Sequence, residues 1–529
     1  MLRTNKQQTI TEFSGLYERV VPKEHLLRRI KEEISFSFVN PMLSKSYCVS
    51  FGRPAKEPEM MFKLLLLKKL YDISDEMLIG EANVNMAFKY FLDINPEDTI
   101  ADASLLTKFR KLRVTEDILS DMLKEIVRQA IAKGIIKSNA IIVDSMHVLS
   151  KAGKETPAAT LRRLTKELRK EIYQTLYDLS DRFPEKPAET AELSEEIAYS
   201  GALLEAVRQE IERNGSEKAK QLLQNVSDAY ATTTQSETIQ SLTDPEAKIG
   251  FKSENHSFFG YKVHLAMTAE RMISGVNVTS GEANDGANLQ ILSEQSMKNG
   301  VTVKEIIGDK AYSSKSNLDY TNERGIKLIS ALHPVVSNGT RKSEGGFLFN
   351  KDADRMQCPA GHLASKKKVE HRGEGHNDRI KYWWNASLCC ECPLSKDCLQ
   401  AGAKGRTYSV TILSDAHAAQ KVFQETDYFK LRMKERYKIE AKNAELKNAH
   451  GLRRADSTGL TAMRLQAYLT AFTTNVKRIV HLLECNKYGN TSRTTSFQDT
   501  TGQIAANFCS YCFHYIRPWT KRRLLHCLV

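Results

Sequence analysis

At Lys137 the hydrophobic period of the chain changes. Upstream, residues 16–125 read as helices, because EHLLRRIKEEI, PEMMFKLLLLKKLYDI, DEMLIGEANVNMAFKYFL and ASLLTKFRKLR place apolar residues three and four apart. Then SNAIIVDSMHVL is a short β-branched run closing on an acid, Asp144, as a buried strand reads. Residues 155–240 return to helix, in one stripe from Leu161 to Leu179 and a second from Leu193 to Ile211, broken at Pro184 and Pro187. That pattern predicts an antiparallel helical hairpin. Between Phe258 and Leu332 strands and helices alternate: YKVHLAMTA and ISGVNVTS as paired strands, a helix from Ala287 to Met297, the strand VKEIIGD, a helix after Ser316, and the strand IKLISAL.

A mixed α/β core interrupted by helices follows from this order. The boundaries predict a helical domain over 1–125, a core assembled from 136–154, 250–335 and 425–485, a helical insertion at 155–249 and a cysteine-rich insertion at 336–424. Residues 486–529 read as a polar linker and a basic tail. A chain of 529 residues is too long for one compact domain, so several units are expected.

Three acids stand out by position. Asp144 closes the first strand, Asp309 closes the VKEIIGD strand, and Glu440 lies on a late helix. Acids at neighbouring strand ends, met by a third from a helix, can form one oxygen-rich pocket for two Mg²⁺ ions, which prefer carboxylates, water and phosphate oxygens. Such a pair of metals suits phosphoryl transfer. In RMKERYKIEAKNAELKNAHGLRRA, Arg436, Glu440 and Lys447 fall within about 40° of one helical face, whereas Glu445 points some 140° away from Glu440.

Charge adds a partner class. Lys+Arg exceeds Asp+Glu by 77 − 64 = 13, which favours a polyanion such as nucleic acid. Basic residues punctuate the N-terminal helices, among them Arg53, Lys56, Lys63, Lys68, Lys69, Lys108, Arg110, Lys111 and Arg113, and could track phosphates. The N-terminus lacks a secretory apolar stretch and the greasiest run, MMFKLLLLKKL, falls far short of the ~20 residues of a span, so a cytoplasmic protein with no membrane segment is expected.

Five of the ten cysteines fall between Cys358 and Cys398. Cys389 and Cys392 have the C-x2-C spacing that presents two sulfurs to a tetrahedral ion, and Cys358 and Cys398 complete a set of four for a structural Zn²⁺. His362 and Cys390 are spare donors. Trp383 and Trp384, beside Lys381 and Tyr382, could stack on unpaired bases or pack within this region. The tail pair Cys509 and Cys512 has no nearby partners in sequence.

These blocks, in this order, resemble the DDE transposases of bacterial insertion sequences, in the eleven-eighty-two-like branch of the IS-five superfamily. The resemblance runs through FGRPAKEPEMMFKLLLLKKLYDISDEML, DASLLTKFRKL, IIVDSMHV, FFGYKVHLAMTAE with SGEANDG, IIGDKAYSS, CPAGH with CCECPLSKDC, and RYKIEAKNAELKNAHGLRRA. It implies a ribonuclease H-like α/β core with a helical N-terminal domain, a helical-hairpin insertion and a cysteine-rich insertion. It implies the catalytic triad Asp144, Asp309 and Glu440 with Mg²⁺ or Mn²⁺, and Lys447 on the DNA end. Met433 stands where the signature has tyrosine. DNA contacts are expected from Lys310, Arg436, Lys447, Arg453, Arg454, Lys108 and Arg110, and Asp285 is expected to act behind the triad or structurally. The implied activity is cleavage at the ends of an insertion sequence and attack of the freed 3′-hydroxyl on target DNA, by a homodimer or higher oligomer holding double-stranded ends and target. A non-catalytic DNA-binding descendant and a ribonuclease H-like nuclease stay open as alternatives.

Overall fold

The computed structural model describes residues 12–487, apart from 14, 49–54, 101, 154, 189–190, 236–240, 254–255, 333–345, 351–352, 354, 374, 400–402, 404 and 413. Arg53, Cys509, Cys512 and the expected linker and tail from 488 onward lie outside the described residues. Met1–Leu482 forms one unit; of the second, Leu483–Val529, the described part is the end of the long helix Leu460–Lys487.

The centre is a mixed sheet. Its strands are β1 (Ala140–Leu149), β2 (Lys248–Ser253), β3 (His256–Thr268), β4 (Ile273–Ser280), β5 (Glu305–Ile307) and β6 (Lys327–Ile329), in the order β2-β3-β1-β5-β6, with β4 also paired to β3. β1 runs antiparallel to β3 and parallel to β5, and β5 is parallel to β6. Ala140, Ile141, Ile142 and Val143 are all buried, as expected for a strand covered on both faces. This mixed sheet is consistent with a ribonuclease H-like core. The paired strands, the two parallel strands and both helices of the 258–332 region occur as the sequence predicts, at Leu289–Lys298 and Lys315–Glu323 for the helices. β2 was not anticipated, since KIGFKS has too few apolar residues to register as a strand.

Between β1 and β2 three helices replace the predicted two: Pro157–Thr175, Leu193–Asn214 and Glu217–Gln235. The extra break falls at Gly215, where a Cβ would stand 2.4 Å from the Ile211 carbonyl oxygen. A larger residue there would clash with the helix end it follows. Leu168, Ile172, Leu203, Val207, Ile211 and Val226 form the core of this bundle.

The N-terminal helices wrap the long helix. Pro58–Tyr71 begins with Pro58 in its first turn and ends where Asp72 adopts φ 49°. It is buried nearly all round, including Lys63 and Lys69, so these two lysines are not surface cations. Lys63 is paired with Glu59 at 2.7 Å and with Asp93, and Lys69 with Asp456 at 2.5 Å. Phe62 meets Phe472 of the long helix edge-on at 5.6 Å between ring centres. Asn475, also on the long helix, both accepts from and donates to the Ile273 backbone at 2.8 Å, which occupies polar groups at the start of β4. Among the described residues, no helix is long and apolar enough to cross a membrane.

Asp244 joins these layers. Its buried carboxyl accepts from Ser150 after β1, Tyr261 on β3 and, at 3.0 Å, the Gly459 amide before the long helix. Asp244→Ala leaves these donors buried without an acceptor, so urea unfolding should show a loss of about 3 kcal/mol. An unshifted midpoint would mean that the three donors find water instead.

Candidate active site

Strand register brings the first two acids together. Ile142 pairs with Ile307 at the end of the parallel β1–β5 ladder, and two residues onward Asp144 and Asp309 follow, near enough for Asp309 to act electrostatically on Asp144. Asp309 then turns away from the strand: its side chain accepts from the Ala311 amide at 2.9 Å, capping the short 3-10 turn Lys310–Tyr312. The loop after β4 closes over this turn. Gly286 permits the approach, because a Cβ there would lie 2.2 Å from the Ala311 carbonyl oxygen. Asn317 fastens the contact by donating to the Gly286 and Tyr312 carbonyls at 2.8 and 3.1 Å. Asp285, next to Gly286, is paired with Lys262 at 3.0 Å.

The helix Tyr437–Ala449 lies against the middle of β1: Asp144, expected to close that strand, is followed by five more strand residues up to Leu149, held by antiparallel pairing with β3. Asn443 donates to Asp144 at 2.9 Å. Arg436, Glu440, Asn443 and Lys447 follow the three- and four-residue spacing of one helical face. Glu440 itself is exposed, with 60% of its side chain accessible, and sits 3.6 Å from Arg436. Among the described residues no group of three or more His, Cys, Asp or Glu side chains stands at metal-holding distances. Glu445 belongs elsewhere: against its own burial, Lys442 and Lys477 hold its carboxyl below the usual range, and it is 2.7 Å from Lys442.

The electrostatics of this pocket are strained in a consistent direction. Burial pushes the Asp144 carboxyl up to about 6, with Asp309 and Asp285 adding repulsion and the Ser145 backbone bond and Arg436 opposing it. Tyr312 is fully buried and its hydroxyl has no hydrogen-bond partner among the described residues. Burial, then Asp144, Asp285 and Asp309, raise that hydroxyl well above its ordinary value. The Arg436 Nε and the Asn443 Oδ1 are likewise buried without partners. Unsatisfied donors and crowded carboxylates together leave polar capacity for a charged guest.

A cationic rim borders the acids. Burial lowers the Lys447 ammonium, and nearby Lys252 and Arg453 lower it further. Burial also pulls His147 down to about 4, with Lys447, Lys252 and Lys262 adding to the effect. Arg453 is exposed and bonds Asn448, while Arg454 and Lys310 are exposed. The backbone at Arg453 and Ala455 pairs with Leu149 at the end of β1, holding the two arginines beside the strand. By contrast Arg110 is engaged by Asp75, which also holds Lys68, while Lys108 and Lys111 stay exposed.

Sequence reading missed Tyr312, Asn443, Lys252 and Lys262. Asn443 was findable, since it shares the face of Arg436 and Lys447; the others depend on chain crossings that no spacing encodes.

Two family matches bear on this geometry. Residues 16–112 match the family described as Transposase domain (DUF772), and residues 357–480 match the family described as Transposase DDE domain. The chain thus carries a stretch similar to a transposase domain and another similar to a transposase DDE domain. The second match contains Arg436, Glu440 and Lys447, whereas Asp144 and Asp309 lie outside both matched stretches. No curated protein matches the chain.

In the cysteine-rich region, Cys358, Cys389, Cys392 and Cys398 line one pocket with His362, Trp384 and Arg406. All four are free thiols. Burial pushes the Cys398 thiol up, Arg406 opposes this, and Cys358, Cys389 and Cys392 add to the rise. The Arg406 amide donates to the Cys389 sulfur at 3.5 Å. The four thiols thus share one pocket, although no three of them stand at metal-holding distances among the described residues.

The raised Asp144 carboxyl has a measurable consequence for the metal-free protein. The folded state holds this proton more tightly than the unfolded chain, so stability falls as pH rises from about 4 through about 6. Asp144→Asn should remove that dependence. In chelator, urea unfolding should find the variant about 2–3 kcal/mol more stable than wild type at pH 8, and the two should converge below about pH 4. Parallel pH profiles would show that the carboxyl is not desolvated.

Proposed function

We propose that this chain is a transposase that cleaves the ends of an insertion sequence and joins the resulting 3′-hydroxyl ends to target DNA, with Asp144, Asp309 and Glu440 as the carboxylates of its catalytic centre. The observation that carries the reading is the register of β1 and β5, which sets Asp144 beside Asp309, together with the Asn443 bond that turns the Glu440 face toward them. Carboxylates suit hard divalent ions such as Mg²⁺ or Mn²⁺. Such ions, when bound, supply positive charge to the phosphoryl oxygens and acidify the attacking hydroxyl.

The chain's own groups have distinct parts in this reading. Arg436 orients Glu440, which an isolated exposed glutamate would not achieve. Asn443 fixes one oxygen of Asp144, leaving the other for a cation. Lys447, Lys252, Arg453, Arg454 and Lys310 grip the phosphate backbone around the scissile bond, where they set register without reading sequence. Lys108 and Lys111 extend a DNA contact to the N-terminal helices, with Arg110 held in place by Asp75. Joining two ends in concert calls for at least a dimer. Separately, Cys358, Cys389, Cys392 and Cys398, which line one pocket, would draw together as thiolates around a structural zinc.

Glu440→Gln keeps size and removes charge, so cleavage of an end-bearing oligonucleotide should fall by about 10³-fold or more, while DNA binding survives. Wild-type cleavage by that variant would remove Glu440 from the centre, and cleavage without joining in the wild type would favour a nuclease. Glu445→Gln should act differently, lowering stability because Lys442 is buried against it, with activity retained in the folded fraction.

Metal analysis of protein expressed under reducing, zinc-replete conditions should find about one zinc per chain, and Cys392→Ser should lose it. Metal-free wild type would leave the four cysteines as packing residues.

A further inference from the structure

Beyond the carboxylate centre, one surface has the composition of a nucleic-acid platform. The cysteine-rich region contains a three-stranded antiparallel sheet in the order β11-β10-β9, numbering β7 (Leu348–Asn350), β8 (Arg355–Gln357), β9 (Lys366–Glu370), β10 (Arg379–Trp383) and β11 (Thr407–Thr411). Register sorts its side chains by face. Trp383 pairs with Lys366 and Thr407, Lys381 with Lys368 and Ser409, and Arg379 with Glu370 and Thr411. Residues directly opposite share a face, so one side carries Lys366, Lys368, Arg379, Lys381 and Trp383 with a single acid, Glu370. The other side carries Ile380, Tyr382, Tyr408 and Val410, which pack with Met356, Ala364 and Trp384.

The polar face is open and its charge is mostly uncommitted. Lys366 and Lys368 are exposed, and Lys368 shares Glu370 electrostatically with Arg379 and Lys381. Glu370 is engaged by Arg379 at 2.5 Å, with Lys381 at 4.0 Å. Lys366 and Lys381 stand 5.7 and 5.3 Å from the centre of the Trp383 ring, flanking an indole that is only partly covered. Trp384 is different: it is buried and its indole N–H donates to the His362 carbonyl at 2.8 Å, so it is a packing residue and not a stacking one.

The sheet also points at the centre. At the tip of the β9–β10 hairpin, a Cβ on Gly375 would lie 3.5 Å from Ser316, and Lys315 acts electrostatically on Asp378. Ser316 follows the Asp309 turn by a few residues. A strand of DNA lying along β9 and β10 would thus run from Trp383 toward the Asp309 loop.

We propose that the Lys366, Lys368, Lys381 and Trp383 face binds the DNA strand flanking the cleavage site, with the lysines on phosphates and Trp383 stacked on an unpaired base. This rests on the reading of the chain as a strand-cleaving transposase. Lysines on one strand face recur every second residue, which matches a linear polyanion better than a compact ligand. An exposed indole between cations adds sequence-tolerant stacking.

The test uses full-length protein, fluorescence anisotropy and two probes: a random-sequence duplex, and the same duplex with a single-stranded 3′ flank. Removing three cations with Lys366→Gln, Lys368→Gln and Lys381→Gln should weaken binding to both probes by about tenfold and reduce the slope of log K against log salt by about 2–3. Lys166→Gln with Lys170→Gln, exposed cations of the helix Pro157–Thr175, controls for net charge and should change the slope little. Trp383→Ala should weaken the flanked probe by about 5–100-fold and the blunt duplex far less, with Trp383→Phe restoring most of the loss. Wild-type binding that both the triple variant and Trp383→Ala leave intact, or a loss no greater than in the control, would overturn this face alone. A wild type that binds neither probe would overturn it together with the transposase reading.

Discussion

The pairing of β1 with β5 is the constraint on which the site depends. Parallel strands cannot be joined by a tight turn, so their register is set by everything packed between them in sequence. Here that register aligns Ile142 with Ile307 and, two residues on, sets Asp144 against Asp309. Burial raises the Asp144 carboxyl, and repulsion from Asp309 adds a smaller part. Around Asp144 the fold also leaves the Tyr312 hydroxyl, the Arg436 Nε and the Asn443 Oδ1 buried without partners among the described residues.

Much of this was legible in the sequence. The change of period at Lys137 and the helical face of Arg436, Glu440 and Lys447 are local patterns that survive in the fold, whereas the expected strand end at Asp144 does not, because pairing with β3 carries β1 on to Leu149. What failed to show were features made by crossings. Lys262 meets Asp285, and Lys252 stands near Lys447, because β3 and β2 pair beside β1, and KIGFKS carries no strand signature of its own. Tyr312 reads as a turn residue until the Gly286 loop closes over it. The third helix between β1 and β2 turned on one glycine.

Charge was the least readable property. The N-terminal lysines look alike in sequence, yet Lys63 and Lys69 neutralise buried or half-buried acids, Arg110 holds Asp75, and only residues such as Lys108 and Lys111 face outward. Buried cations of this kind specify packing between the first helices and the long helix, and do little for DNA. Exposed cations do border β1, at Lys310, Arg453 and Arg454, and lie on the β9–β11 sheet, at Lys366 and Lys368. A net charge of +13 is therefore a statement about solvation and partners only after the paired residues are removed from it.

The central claim is that Asp144, Asp309 and Glu440 surround one divalent-metal centre. Iron-dependent hydroxyl-radical cleavage tests it most directly, because iron(II) bound in place of Mg²⁺ cuts the backbone that surrounds it. The account predicts fragments ending near Asp144, near Asp309 and within Tyr437–Ala449, all suppressed together by excess Mg²⁺. Cleavage at one of these segments without the others, or cleavage that Mg²⁺ does not suppress, would contradict it.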